Sequence, residues 1–540
     1  MLTSCAANSP ASPDSGASDA GSRDAGPPRV DAGLDSGPTP RDAGASLPER
    51  CSSEHMRFMD EFGREAFCVY VAEGGDDANE GTPEAPFRSL DRALEVAVAR
   101  GVTTGRVHAV AVSRGTYRER LVLVNGVSIY GGYDADDGWS RADGNETLVV
   151  SAMASDGRIE GLVAEAISAP TVVERFTIRA GSMLLANSDV DVYGARVVGS
   201  TPALPELGGL ILRDLVVEAG DATRGSDGVP GAMGDDGNRG DLGEAGGTGD
   251  GNPNAGGAGA VSVCGVETII RTRGGAGGMG GGDGAMGCGT FEDSATVGLP
   301  PPALLTCSGG MRGDACGCFD GGAGGGPGSV CATTAATSGG AGVASPVRGD
   351  ADGGLWVGRP GDDGADGEHG LGGSGGGGGG SGCAAVGWGP TGGGGGGGGS
   401  GGCGGRGGAG GRSGGSSFGL FAIDSTFAVT GSTFRSGAGG DGGAGARGGL
   451  GGEGGPGGDG ASGGFAGGRG GDGQAGGEGG AGAAGPGGSS VGAMICRSEV
   501  DELDLPRLTA GTPGVGGMAA PSGAAGLDGI SAPIFFGCQL

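Results

Sequence analysis

Between residues 439 and 488 glycine falls on every third position, in two runs of nine, 439–463 and 464–488, separated by a one-residue slip. The same period holds nine glycines over 225–249, nine over 358–382 and eight over 389–410. A period of three is that of the extended, left-handed polyproline-type helix, which rises ~3.1 Å per residue and makes no internal hydrogen bonds. One face of such a helix carries no side chains, and a run of this length spans ~75 Å. The constraint is severe. Glycine raises the entropic cost of ordering these segments, and they offer little side-chain area to bury. Their backbone N–H and C=O groups still need partners.

Three arrangements meet that constraint differently. A collagen triple helix also needs glycine at every third residue, and the run 225–249 contains Gly228-Val229-Pro230-Gly231-Ala232-Met233. Proline is scarce, however, and three separate chains would have to meet. Solvated, disordered loops are the default for a chain with 143 glycines and 27 prolines in 540 residues. The third arrangement is an antiparallel bundle of polyglycine-II-like rods within one chain, with N–H and C=O groups bonded from rod to rod. The near-equal run lengths favour it, as does the slip at Gly463/Gly464, which suits a tight reversal. Its periodicity resembles that of glycine-rich bundles in some phage tail-tip adhesins and one insect antifreeze class.

Apolar residues concentrate elsewhere, at 67–218, 418–434 and 491–508. Strand-like runs occur at 68–72, 107–112, 121–124 and 127–130. A short helix carrying Leu94, Val96, Ala97 and Val98 follows Ser89, a plausible cap. Gly115-Thr116-Tyr117 reads as a turn. Further β-rich stretches lie at 172–178, 190–198, 210–217, 418–434 and 493–508. Four of them end alike in a small-residue turn, at Ala180-Gly181, Ala219-Gly220, Ser436-Gly437 and Ala510-Gly511. Repeating units that bury a face only against their neighbours make a solenoid. The glycine arms would leave its coils at the same kind of corner. A β-sandwich is the alternative, weakened by the scarcity of hairpin signals.

Tyr70, the loop Asp76–Pro83, Pro86, Leu90, Gly115-Thr116-Tyr117 and Gly131-Gly132-Tyr133 give a more specific pointer. These residues resemble the N-terminal cap and first coils of pectin-lyase-like right-handed parallel β-helices. They are most similar to a domain-of-unknown-function family of bacterial surface lipoproteins; the inserts resemble the glycine-rich PE-PGRS kind. The likeness covers about 70 residues. It implies an all-β fold, a right-handed parallel β-helix with polyglycine-II-like or disordered insertions. Some relatives on that fold cleave acidic polysaccharides.

The expected organisation is a lipobox-like remnant at 1–5, an Asp/Ala/Gly/Pro tether at 6–50 and a connector at 51–67. The β-helix cap and first coils occupy 68–220. A glycine-rich insertion with a disulfide-stapled lobe covers 221–417. A further coil lies at 418–438, paired rods at 439–488 and terminal coils at 489–540. Leu2-Thr3-Ser4-Cys5 resembles the lipobox, which makes Cys5 a lipidation candidate, with a signal peptide expected upstream. The chain has 13 cysteines, a number that points to an oxidising compartment. With Cys5 set aside, Cys51, Cys68, Cys264, Cys288, Cys307, Cys316, Cys318, Cys331, Cys383, Cys403, Cys496 and Cys538 are disulfide candidates. Cys51 and Cys68 bracket the entry to the solid domain, Cys383 and Cys403 could tie two rods together, and Cys496 and Cys538 sit near the end. Spacing alone fixes none of these pairs.

The net charge of −30, with no lysine, argues against nucleic acid or anionic membrane as partners. Membrane contact would come only through a lipid anchor, and partners would be surface polysaccharide or other cells. Localisation follows as exported: an outer-membrane or cell-surface lipoprotein, or an extracellular protein. His55, His108 and His369 are the three histidines, and none has zinc spacing. Asp76, Asp77, Asp134, Asp136 and Asp137 offer oxygen ligands of the kind calcium takes; no other cofactor is called for. Arg175, Arg179, Asp189 and Asp191 are the charged residues a polysaccharide-cleaving face would draw on, but no catalytic site is discernible. The expected role is non-catalytic, structural or adhesive; the alternative is a carbohydrate-binding or polysaccharide-degrading β-helix.

Overall fold

A computed structural model describes residues 51–151, 158–181, 189–203, 208–246, 254–265, 270–279, 290–292, 325–329, 335–380, 391–462, 465–501 and 507–540. Cys5, the tether 6–50, the slip at Gly463/Gly464 and Cys288, Cys307, Cys316, Cys318, Cys331 and Cys383 lie outside the described residues. The described chain is nearly all β, with one α-helix, Leu90–Thr104.

Three parallel stacks carry the fold. The first sheet runs Glu65–Val71, Val107–Ser113, Ser128–Asp134, Thr171–Glu174, Leu210–Arg213, Thr426–Thr430, Glu499–Asp501. The second runs Gly115–Tyr117, Thr147–Ser151, Thr177–Ala180, Val216–Ala219, Thr433–Arg435, Leu508–Thr509, and the third Leu121–Val122, Arg158–Glu165, Asp191–Val198, Ser417–Ile423, Ser490–Cys496, Ser531–Phe536. The chain visits the sheets in rotation, so each coil adds one strand to each stack. This parallel pairing rules out the sandwich. It also corrects the reading of Gly115-Thr116-Tyr117, which is a strand paired in parallel with Thr147–Val149 and not a turn.

Alternation along each strand explains the rotation. Val173, Leu212 and Val429 from the first sheet meet Val149, Ile178, Val217 and Phe434 from the second and Leu162, Ala195, Leu420 and Ala493 from the third in one buried cluster. Each large side chain there contributes roughly 1.5–3 kcal/mol by leaving water, and no coil can bury it alone. The helix adds Leu90, Ala93, Leu94 and Ala97 to the same cluster; Ser89 Oγ accepts from Arg92 N at its start. The outer face of the first sheet is covered by residues 51–62, held by the Cys51–Cys68 disulfide and by Tyr70 Oη donating to Ser52 O at 2.8 Å.

In several coils two corners turn on a single left-handed residue. From the third sheet to the first, one residue adopts the left-handed region: Ala166, Gly199, Asp424 and Arg497 (φ 46–57°). Serines then stack along this corner: Ile167 N donates to Ser200 Oγ, Ser200 N to Ser425 Oγ and Ser425 N to Ser498 Oγ, at 3.0–3.1 Å. From the first sheet to the second, Arg175, Asp214 and Gly431 do the same. The β-rich stretches at 172–178 and 210–217 are therefore each two strands broken at such a residue. The third corner, from the second sheet to the third, is the open one. Rods 221–415 leave after Ala219 and return before Ser417, 438–488 leave after Arg435 and return before Ser490, and 511–529 leave after Thr509 and return before Ser531.

The rods hydrogen-bond to one another, with rod 391–415 surrounded by six others. Gly396, Gly399, Gly402, Gly405, Gly408 and Gly411 donate to carbonyls of rod 465–488 at 2.9–3.0 Å, and their own carbonyls accept from rod 358–380. Gly397, Ser400, Cys403, Arg406, Ala409 and Arg412 donate to rod 221–246 and accept from rod 438–462. Gly395 and Gly398 donate to rod 274–279 and accept from rod 254–260. The sequence pattern follows the neighbours. A Cβ on Gly397 would lie 1.9 Å from Ala258 O, on Gly398 2.0 Å from Gly373 O and on Gly399 1.9 Å from Gly455 O. With every face occupied, 392–399 is unbroken glycine. Past the end of rod 254–260 the row that contained Gly397 becomes Ser400, Cys403, Arg406, Ala409 and Arg412. The outer rod 221–246, packed on fewer sides, keeps one glycine in three.

Candidate functional site

Aspartates decorate the edges of the rods, and the structure shows what they do there. Where rod 274–279 ends, the N–H groups of Gly404, Gly407 and Gly410 lose their carbonyl partners. His369 Nδ1, Asp366 Oδ1 and Asp363 Oδ1 accept from them instead, at 2.9, 2.8 and 2.7 Å. These three acceptors sit three residues apart, so each side chain replaces one carbonyl of a missing rod. Asp221, Asp227, Asp236 and Asp441 likewise accept from Ala438, Ala444, Glu453 and Val515 N–H at 2.7–2.8 Å. The Ala444 N–H holds Asp227 below the usual carboxylate range; burial opposes it, and the Arg224 guanidinium adds to the lowering. Much of the acidic balance along the rods thus terminates a backbone lattice.

The four charged residues singled out for polysaccharide chemistry do not converge. Arg175 pairs with Asp143 at 2.8 Å and Arg179 with Glu218 at 2.9 Å. Asp189 accepts from Ser226 N at 2.9 Å. Asp191 is the first rung of a ladder at the entry to the third sheet: it accepts from Ser416 N, Ser416 Oγ accepts from Ser489 N, and Ser489 Oγ from Ile530 N. Enclosure of its carboxyl, opposed by the Ser416 bond and reinforced by Asp189, pushes Asp191 up to about 7.

Arg175 does line a depression of about 550 Å³ with Asp143, Asn145, Glu146 and Asp214. Glu146 also borders a second depression, of about 810 Å³, that reaches Glu73, Arg114 and Asp136. Both are open to solvent and lie along the corner between the first and second sheets.

The calcium candidates fall in two turns. Asp76 Oδ1 accepts from Ala78 N at 3.0 Å. Asp77 accepts from Arg88 N, Ser89 N and Ser89 Oγ, all at 2.9 Å, and so organises the start of the helix. Burial works to raise Asp77, but those bonds outweigh it and hold it below the usual range. Arg114 sits between Asp134 (2.8 Å) and Asp136 (3.2 Å), and Asp137 accepts from Ser140 Oγ at 2.7 Å. The guanidinium bond holds Asp134 low and already supplies a cation to that turn. Among the described residues, ligand atoms of Cys264, His369 and Cys403 lie within 4.8 Å of one another, but the two sulfurs are joined as a disulfide. That bond corrects the suggested tie between Cys383 and Cys403. The hairpin beyond rod 254–260 places Cys264 over rod 391–415 instead. Cys51–Cys68 and Cys496–Cys538 are also joined.

Sequence reading missed two buried carboxylates. Glu160, 1% exposed, takes Arg120, Arg158 and Arg196 at 2.5–3.1 Å. Burial would raise it, but Arg196 and the other two guanidiniums hold it low. Glu174, wholly buried, takes Arg141 and Arg213 at 2.8 and 3.0 Å. A lone glutamate inside an apolar strand, as in Arg158-Ile159-Glu160-Gly161-Leu162, was the available signal.

No family model matches the chain, and no curated protein matches it. Among solved structures, a GH136 lacto-N-biosidase from Eubacterium ramulus is 17% identical, with the likeness covering 28% of this chain and 27% of that one at a TM-score of 0.21. A likeness of that size carries no argument about fold or activity. Among the described residues no helix is long and apolar enough to cross a membrane.

Proposed function

We propose that this is an exported, non-catalytic structural or adhesive protein, in which a right-handed parallel β-helix holds a rigid polyglycine-II-like array. The observation that carries the reading is rod 391–415, bonded through backbone groups to six other rods. Such an array has no side-chain core to spend on a moving active site; its chemistry is stiffness and display. Charged residues on the coils are engaged with one another, as Arg175 with Asp143 and Arg179 with Glu218. The three disulfides among the described residues suit an oxidising, extracellular setting. Lipidation at Cys5 and the tether 6–50 would hold the folded part at a cell surface. A carbohydrate-binding role is the second reading, favoured by the two adjoining depressions that share Glu146.

The test is display of the full chain on a heterologous bacterial surface. Expected is increased attachment to other cells or to polysaccharide films, with no soluble product released from polygalacturonate, alginate or host-type glycans. Product release that disappears in Arg175→Ala would overturn the non-catalytic reading.

A further inference from the structure

Among the described residues, the groove between rods 438–462 and 465–488 is filled at one end and bare along the rest. Segment 511–518 fills the first part. Gly439, Gly442 and Gly445 donate to Thr512 O, Val515 O and Met518 O at 2.8–3.2 Å, and Gly514 and Gly517 donate to Gly488 O and Gly485 O at 2.9 Å. The chain then turns away, with Gly523 N bonded to Ala520 O at 2.9 Å. Both walls continue in register without it. The next donors on one wall are the N–H groups of Gly448, Gly451 and Gly454. The next acceptors on the other are the carbonyls of Gly482, Gly479, Gly476 and Gly473. Among the described residues none of these groups has a hydrogen-bond partner. Gly448, Gly451, Gly454, Gly473, Gly476 and Gly479 are all partly open to solvent. Asp472 Oδ1 closes the far end by accepting from Gly457 N at 2.9 Å.

We propose that this groove docks an extended segment of another polypeptide with glycine at every third residue. The chain's own segment shows the required pattern. Each third N–H, that of a glycine, bonds one wall, and the carbonyl of the following residue accepts from the other. Glycine is required because a Cβ on Gly514 or Gly517 would lie 1.9 Å from Gly440 O or Gly443 O. The open part spans about three triplets, ~30 Å at ~3.1 Å per residue. Its rims are set by phase. Asp441, whose carboxylate reaches Val515 N, heads the row Ala444, Arg447, Leu450, Glu453, and Ala484, whose Cβ would lie 3.1 Å from one on Gly517, heads the row Ala481, Glu478, Ala475. Leu450, 58% exposed, offers the occupant an apolar contact. A folded second copy does not qualify on its described rods, because their glycine rows already face one another. The inference goes beyond the structural or adhesive reading and stands on groove groups that have no partner among the described residues.

The probe is a fluorescein-labelled synthetic peptide of four Gly-Val-Ser triplets, with a scrambled peptide of the same composition as control, added to the full oxidised protein. Expected are a saturable rise in anisotropy with the periodic peptide only and ~10-fold slower amide exchange at Gly448, Gly451 and Gly454. Ala475→Trp, at an exposed rim position, should abolish both while leaving the thermal transition unchanged; Glu478→Trp is the second blocking variant if the first disturbs folding. Absence of binding, equal binding of the scrambled peptide, or binding undiminished in both folded variants would overturn the proposal. So would concentration-dependent self-association removed by Ala475→Trp, which would make a second copy the occupant.

Discussion

The coils and the glycine array solve the same problem with opposite materials. In the coils, side chains do the joining: Val173, Ile178 and Leu420 reach one buried cluster from three different sheets, and backbone bonds run only along each stack. In the array the backbone does the joining, and side chains are admitted only where a neighbour is missing, as at Arg406 beside Asp366. The difference teaches that a core can be built from hydrogen bonds when every Cβ is removed from the contact. Each bond then contributes only about 1 kcal/mol net, but leaving one unmade in a buried rod costs more than that. Such a lattice tolerates no enlargement, whereas the coil core tolerates no reduction.

The largest effect should come from enlarging the array. A Cβ on Gly402 would lie 2.1 Å from Gly452 O, so Gly402→Val should cost more than about 4 kcal/mol, read as a collapsed thermal transition. The matched control is Gly340, in an outer rod, where a Cβ meets nothing within 4 Å; Gly340→Ala should be neutral or stabilise by up to ~1 kcal/mol.

The coils should show the inverse. Leu212→Ala, at a fully buried position, should cost about 3 kcal/mol in denaturant unfolding. If Leu212→Ala were harmless and Gly402→Val tolerated, the contrast between the two regions would be lost.

Where the regions meet, Asp191 supplies a smaller, pH-dependent effect. Its folded pKa, raised to about 7, means the folded state binds the proton more tightly than the unfolded state. The penalty is therefore full above pH 7 and vanishes below about pH 4. Asp191→Asn keeps an oxygen for Ser416 N and should stabilise by roughly 2 kcal/mol at pH 8, less than the ~4 kcal/mol that a rise to about 7 represents at about 1.4 kcal/mol per pKa unit, because a neutral acceptor bonds Ser416 N more weakly than a carboxylate; the gain shrinks to nothing by about pH 4.

The smallest effect sits at the array's edge. Asp227 has a lowered pKa, so its contribution is present above the unfolded value and lost as pH falls through the folded one, below about 4. Asp227→Ala should cost at most about 1 kcal/mol at pH 7, while Asp227→Asn, which keeps an acceptor for Ala444 N, should cost less.

The period of three announced rods, and the shared endings at Ala180-Gly181, Ala219-Gly220, Ser436-Gly437 and Ala510-Gly511 announced the common corner, because both are local consequences of backbone geometry. The cap at Ser89 was legible for the same reason. The break at Arg175 was not, since a single left-handed residue leaves no compositional mark. The Cys264–Cys403 bond was not either: it depends on which rods lie side by side, and the repeat gives every rod the same signature. Ladders such as Asp363, Asp366 and His369 were hidden because their partners lie 35 to 47 residues along the chain. Read with the lattice in hand, the change from Gly-Gly-Gly at 392–399 to Cys403, Arg406 and Ala409 does mark where a neighbouring rod ends.

Amide hydrogen exchange with mass spectrometry on the oxidised protein tests the central claim most directly. The lattice predicts exchange over 391–415 as slow as in the buried strands Asp191–Val198 and Ser417–Ile423. Gly448, Gly451 and Gly454, without partners among the described residues, should exchange far faster than Gly396 to Gly411. Complete exchange of 391–415 within seconds would contradict it: the glycine segments would then be solvated loops hung on a set of parallel coils.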